Sequence, residues 1–191
     1  MNHTALSIIR DEHQALAAML RSLLMLLDKS RKDRQPPPFD VLRAMLFYID
    51  EFPERLHHQH ESKLLFPLIR QRVPALAGTI DRLESDHVRG EASVRQLGHE
   101  LLAWEVLGNS RRAAFEQSAR RYVDAYLRHM ALEESAILPA ARDHLSQDEW
   151  RRLDSAFEAD RDPLTGEPAP DEYRPLFKRI VMTAPAPIGL G

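Results

Sequence analysis

His57 and Glu61 stand four residues apart, and so do His129 and Glu133. On an α-helix, residues at that spacing lie one above the other on the same face. Each pair therefore offers an imidazole nitrogen and a carboxylate oxygen side by side, a donor set that suits iron, manganese or zinc. Each pair also runs into an apolar pair closed by proline: Leu65-Phe66-Pro67 after the first, and Leu138-Pro139 preceded by Ile137 after the second. Two such pairs point to a dinuclear metal site inside a helix bundle. Burying charged carboxylates is costly unless a cation or partner offsets the charge, so their placement on apolar helix faces calls for a ligand.

The elements that must position these residues are readable from hydrophobic period. Leu6, Ile9, His13, Leu16, Leu20, Leu23, Leu24 and Leu27 recur every three or four residues, which predicts a long amphipathic helix with Thr4 as its N-cap. His13 lies in its apolar stripe, with Asp11, Glu12 and Gln14 read as pointing elsewhere. Pro36-Pro37-Pro38 ends it. A second helix starts near Phe39 or Asp40, and Pro53 is expected to bend it a turn before His57. Counting about 100° per residue from Leu42 puts His60 at the centre of the apolar face, His57 and Glu61 on its flank, and His58 pointing away. A third helix runs from Ala75 or Thr79 to Leu107, with His87 among its apolar positions and Glu91 one turn later on the same face. Gly108-Asn109-Ser110 is a stop followed by a new N-cap. A fourth helix covers Arg111 to His144, its stripe carrying Tyr122, Tyr126, His129 and Glu133.

Four long helices with short connections predict an all-α fold, an up-down-up-down four-helix bundle over residues 1–145. Ser146 with Glu149 makes a capping box for a short fifth helix. The remainder of 146–191 is a Pro-rich C-terminal tail, with a turn or two of helix around Leu176 to Met182. That tail, with Ile188 and Leu190, is expected to cap the bundle, to pair with a second copy as a homodimer, or to be disordered.

At 191 residues and 43% hydrophobic, the chain can bury a full core. A net charge of -3 gives no basic footprint for nucleic acid. No apolar run approaches the roughly 18 residues that span a bilayer, and no signal peptide is recognisable. A cytoplasmic location is the expectation. With no Cys there is no thiolate metal site and no cysteine nucleophile. The seven Gly form no phosphate-cradling loop.

His13, His57 with Glu61, Asp86-His87, and His129 with Glu133 together resemble the hemerythrin-like (HHE cation-binding) family across roughly residues 5–145. The resemblance implies two iron ions in a non-haem, oxo- or hydroxo-bridged centre, with Glu61, Glu133 and a solvent oxygen between them. It gives His13 and His57 to one iron, and His87 and His129 to the other. Manganese or zinc suits the same donors. In oxygen-carrying hemerythrins a further His stands one turn beyond the position of His87, where this chain has Glu91. An anionic ligand there favours the oxidised metal, so Glu91 joins the candidate ligands. It turns the reading from oxygen carriage to reaction with O2, NO or peroxide in sensing, redox protection or iron handling.

Two alternatives stand beside that reading: a structural or interaction bundle with zinc or no metal, and a di-iron oxidase or catalase-like peroxidase. Among single residues, His60 is read as packing or supporting a ligand, and Tyr122 and Tyr126 as core aromatics. Glu134 is read as solvated, and His3, His58, His99 and His144 as exposed.

Overall fold

The computed structural model describes residues 3–165, 171–186, 188 and 189, so Leu190 lies outside the described residues. All regular structure among them is helical. Helix α1 is Thr4–Asp33. Helix α2 is one continuous helical path over residues 39–72, and α3 is Ala77–Leu107. Helix α4 covers residues 112–144. Helix α5 is Gln147–Ala159, opened by the capping box in which the Ser146 hydroxyl and the Glu149 carboxylate satisfy each other's backbone N–H groups. Helix α6 is Arg174–Thr183, within the Pro-rich tail.

Helices α2 and α4 are not uniformly α-helical. Helix α2 widens into π-helical turns at Asp50–His57 and Glu61–Leu65, and α4 does so at Glu133–Ile137. Each of these stretches has a proline within it or just past it: Pro53, Pro67 and Pro139. A proline offers no N–H to the carbonyl four residues back, and the preceding turn loosens to compensate; such π turns gather at functional sites. A widened turn advances the helix phase by less per residue than the count of about 100° assumes. The slip corrects the sequence reading of α2. His58, expected to point away, is buried, while His60 is only half-buried and pairs with Asp160 at 3.2 Å.

Helix α1 ends where Arg34 takes a left-handed conformation (φ 54°), which lets the Gln35 N–H reach the Ser30 carbonyl at 3.1 Å before the prolines begin. Helix α1 packs on α2 and α4, and α3 packs on the same two helices. Helix α5 lies along α1, and α6 along α2.

The apolar core falls into two clusters. The first holds Met19, Leu23, Met45, Ile49, Leu97, Trp104 and Phe115, with Ile180 of α6 and the partly buried Ile188 against it. The second holds Ile8, Ile9, Phe66, Ile69, Leu83, Ile137 and Leu138, with Trp150 and Phe157 of α5. Helices α1 and α3 pass from the second cluster to the first, and α2 and α4 pass back. Every long helix crosses the gap between them at its histidine. Each fully buried Leu or Phe contributes about 1.5–3 kcal/mol, and that sum carries the cost of a polar layer at mid-height. No described helix is long and apolar enough to cross a membrane.

Candidate metal centre

In that middle layer, His13 from α1, His57 from α2, His87 from α3 and His129 from α4 turn their Nε2 atoms towards two carboxylates. Glu61 and Glu133 are 0% and 1% exposed. Glu61 Oε1 lies 3.2 Å from His57 Nε2, and its Oε2 lies 3.5 Å from His87 Nε2. Glu133 Oε2 lies 3.3 Å from His13 Nε2, and its Oε1 lies 3.2 Å from His129 Nε2. Each carboxylate therefore faces one imidazole of the α1/α2 pair with one oxygen and one of the α3/α4 pair with the other. The Nε2 atoms of His87 and His129 are 3.1 Å apart, and the rings of His13 and His57 have centroids 5.2 Å apart.

All four carboxylate oxygens, and His57 Nε2, are buried without a hydrogen-bond partner. A polar atom left that way costs about 1–3 kcal/mol, and five around one point amount to a demand for a cation. The donor set fits a pair of metal ions. Geometry alone assembles two overlapping groups able to hold one: His13, His57 and Glu61, and His58, Glu61, His87 and His129.

The outward nitrogens are held as well. His57 Nδ1 donates to Glu12 Oε2 at 2.6 Å, and Glu12 Oε1 accepts from the Asp162 N–H at 2.9 Å. His13 Nδ1 meets Glu134 Oε1 at 3.0 Å. His87 Nδ1 meets the Ser62 hydroxyl at 3.0 Å, and that hydroxyl donates to Glu84. His129 Nδ1 has Asp86 Oδ2 at 3.8 Å. A partner on Nδ1 fixes the tautomer that leaves Nε2 free to ligate, and raises its basicity.

Electrostatics in the layer are dominated by burial set against close opposite charges. For His13 burial favours the neutral ring, yet contacts with Glu133 and Glu134 prevail and its pKa is raised. His57 rises well above the ordinary imidazole range, because Glu61 and Glu12 overcome the effect of burial, and His129 is raised by Glu133 against the same opposition. Burial would lift Glu61, but the His57 and His87 imidazoles hold it well below the usual carboxylate range. Without metal, the two carboxylates favour the protonated form of His13, His57 and His129.

Beside it lies a second buried group that sequence reading missed. The His58 ring stacks on His87 with centroids 3.8 Å apart; its Nε2 is hydrogen-bonded to the Tyr126 hydroxyl at 3.0 Å, and its Nδ1 lies 3.1 Å from Glu54 Oε2. Tyr122 donates to Glu54 Oε1 at 2.9 Å. Burial raises the Glu54 carboxyl to about 7 and, together with His87, pushes the His58 imidazole well below its ordinary range. A cavity of about 480 Å³ between α3 and α4 reaches His58, His87 and His129.

The hemerythrin HHE cation binding domain family matches residues 4–141 of this sequence. The chain belongs to that family. As a hemerythrin-like domain it carries a His/Glu cluster placed to bind metal, and the match spans all four long helices. It is 32% identical over 143 residues to two mycobacterial relatives: Uncharacterized protein Rv1995 of Mycobacterium tuberculosis and Uncharacterized protein Mb2018 of Mycobacterium bovis. The alignment takes in 71% of this chain but 52% of each relative, so the chain spans about half the length of the curated proteins it matches.

Within this hemerythrin-like domain the structure brings together His13, His57, Glu61, His87, His129 and Glu133. Glu91 stands apart: its side chain is 45% exposed and pairs with Arg95 at 3.3 Å. Helix α3 is α-helical throughout, and Glu91 emerges on the flank facing Arg95. The argument from an anionic ligand at that position falls with it. Glu134, read as solvated, is half-exposed yet orients His13. Glu12, read as pointing elsewhere, is buried. It lies a single step from His13 on the side of α1 that α5 covers, and nothing local in the sequence says so. Glu54 had a signal, the Glu-x-x-x-His spacing to His58, hidden because His58 was read as exposed. His3 is half-buried and stacks on Trp150, while His99 and His144 are exposed.

Proposed function

We propose that this chain is a non-haem di-iron protein that binds or reacts with O2, NO or peroxide. Its scaffold is the up-down-up-down four-helix bundle, with α5 packed along α1 and α6 along α2. The observation that carries the reading is the opposed pairing of the carboxylates: each turns one unpartnered oxygen to either imidazole pair. His13 and His57 would hold one ion, and His87 and His129 the other, with Glu61 and Glu133 shared between them. Manganese or zinc suits nitrogen and carboxylate donors too; zinc has no redox step, whereas iron can supply electrons to a small oxidant.

The chain's own residues prepare that chemistry. Glu12, Glu134 and Ser62 keep three rings aimed inward. The two apolar clusters flank the layer and bury its carboxylates, which strengthens the electrostatic interactions they make.

Elemental analysis joined to an optical spectrum of freshly purified protein tests the proposal. Two irons per chain are expected, with near-ultraviolet absorption that changes on adding peroxide or NO. Colourless protein holding zinc, or none, would establish the structural bundle instead, and sustained turnover of peroxide would establish the catalase-like enzyme.

A further inference from the structure

Glu54 and His58 form a further pair at the four-residue spacing of the metal layer, in the reverse order. The π turns of Asp50–His57 carry Glu54 and run directly into His58, and both side chains turn into the bundle, 0% and 7% exposed. Glu54 Oε2 lies 3.1 Å from His58 Nδ1, against 3.2 Å in each of the pairs His57/Glu61 and His129/Glu133. As with His57 and Glu61, the two facing atoms are buried without a hydrogen-bond partner. A proton shared between them would make a hydrogen bond, and neither atom makes one. Two donors on one ion stand about 3–3.5 Å apart when their bonds are about 2.1 Å long. The separation fits.

The remaining two atoms of the pair are engaged. Glu54 Oε1 accepts from the Tyr122 hydroxyl at 2.9 Å, and His58 Nε2 is hydrogen-bonded to the Tyr126 hydroxyl at 3.0 Å. With Nε2–H donating to that hydroxyl, Nδ1 keeps its lone pair towards Glu54, the tautomer that ligates. The stack on His87, with centroids 3.8 Å apart, holds the ring in that plane. Gly90 leaves the space that the carboxylate occupies, since a Cβ there would stand 2.8 Å from Glu54 Oε1. Charge nearby favours a cation. Asp50 stands one turn before Glu54, and Glu91 of α3 adds its charge to both, against a largely exposed Arg95. The α3/α4 cavity is lined by His58, Gly90, Tyr122 and Tyr126, and water from it would complete the shell of an ion with two protein ligands.

We infer that Glu54 Oε2 and His58 Nδ1 form a third cation position, separate from the two of the layer, for one divalent ion of the class that takes mixed nitrogen and oxygen donors. The inference rests on the reading of the layer as a metal centre, since the same orphaned pair is given the same meaning in both places. Tyr122 and Tyr126 are its positioning residues. One carboxylate and one imidazole hold an ion less firmly than two imidazoles and two shared carboxylates do. The ions of the layer also repel it across the His58/His87 stack. The third position is therefore the weakest, and protein purified without added metal carries two ions.

The test titrates the full, chelator-stripped chain with Co2+ by equilibrium dialysis, with bound metal counted by elemental analysis. Wild type is expected to take two equivalents tightly and a third about tenfold or more weaker. Glu54→Gln keeps the shape of the side chain, and His58→Phe keeps a ring against His87. Each is expected to stop at two equivalents. The tight pair should hold within about threefold, well below the roughly 10–100-fold that loss of an outer partner costs. That retained pair shows that the variant folds, and either variant decides alone should the other fail to. A third equivalent that survives in both is ordinary surface binding and overturns the inference, as does a wild type that saturates at two. Loss of a tight ion in His58→Phe would also overturn it, by placing His58 in the layer. A wild type with no tight pair sinks the reading of the layer and this inference with it; a tight pair without a third equivalent that depends on Glu54 sinks this inference alone.

Discussion

An imidazole ligates well only when its other nitrogen is held, and three of the four inward rings here have a close partner on Nδ1. The shortest contact, His57 to Glu12 at 2.6 Å, is the one most open to test. Glu12→Gln keeps the shape of the side chain but removes the charge that steadies the ring. Loss of such an outer partner typically weakens metal affinity about 10–100-fold. Titration of the metal-free variant with ferrous iron should show that weakening, with full loading still reached at excess metal; unchanged affinity would remove Glu12 from the centre. His129→Ala is more severe, since it deletes an inward donor and leaves Glu133 Oε1 facing empty space, so most of the metal should be lost. His58→Ala should keep it, because both His58 ring nitrogens already face protein groups, Tyr126 and Glu54. Metal analysis of the two variants side by side decides, and equal retention would contradict the assignment. The six converging groups were readable in the sequence because each sits at a helical spacing that local periodicity reveals. Glu12, Glu54 and the true direction of His58 were not, because they depend on what packs against a helix and on how its turns are wound.

Among the elements, the departures from regular helix occur next to His57, Glu61 and Glu133. The π turns at Glu61–Leu65 and Glu133–Ile137 each begin at a buried carboxylate and run up to Pro67 or Pro139 at the same spacing. The prolines were visible in the sequence, and a bend at Pro53 was expected. Their effect on phase was not, because counting at a fixed angle has no place for a widened turn. Helix α3 has no such interruption, and there His87 is buried as its apolar period implied, although Glu91 one turn later turns out to Arg95. Its glycines make the contrast measurable. Gly98 is exposed, and a Cβ there would meet nothing within 4 Å. Gly98→Ala should therefore stabilise by about 0.5–1 kcal/mol through helix propensity, raising Tm by about 2–4 °C per kcal/mol in a chain of this length. Gly90→Ala has the same propensity gain but places its Cβ against the buried Glu54 carboxylate. That carboxylate is buried and held by Tyr122. Thermal melts should show a gain for Gly98→Ala and none, or a loss, for Gly90→Ala; equal gains would mean that the Glu54 corner is not tightly packed.

Taken whole, the molecule is two apolar plugs clamped about a layer of charge, and its stability must depend on what that layer holds. Without metal, His13, His57 and His129 keep raised pKa values through the carboxylates beside them. A histidine whose folded pKa exceeds its unfolded value contributes stability that is fully present below about 6.5, the unfolded value. That contribution fades as pH rises through the folded value. Glu61, held low, contributes above its unfolded value of about 4.3 and changes little between pH 6 and 8. The metal-free chain should therefore melt at a lower temperature at pH 8 than at pH 6. Bound metal behaves oppositely, because ligating nitrogens must first give up their protons, so affinity climbs with pH over the same window. Metal present at about 1,000 times its Kd adds about 4 kcal/mol, which at about 2–4 °C per kcal/mol is roughly 8–16 °C in Tm. The gap in Tm between loaded and chelator-stripped protein should widen steadily from pH 6 to pH 8, and calorimetric titration in buffers of differing ionisation enthalpy should detect protons released on loading. A gap that stayed constant, with no protons released, would mean that the imidazoles are already neutral in the stripped chain. The layer would then be held by packing rather than by shared protons, and His13, His57 and His129 would have no charge for a metal to displace.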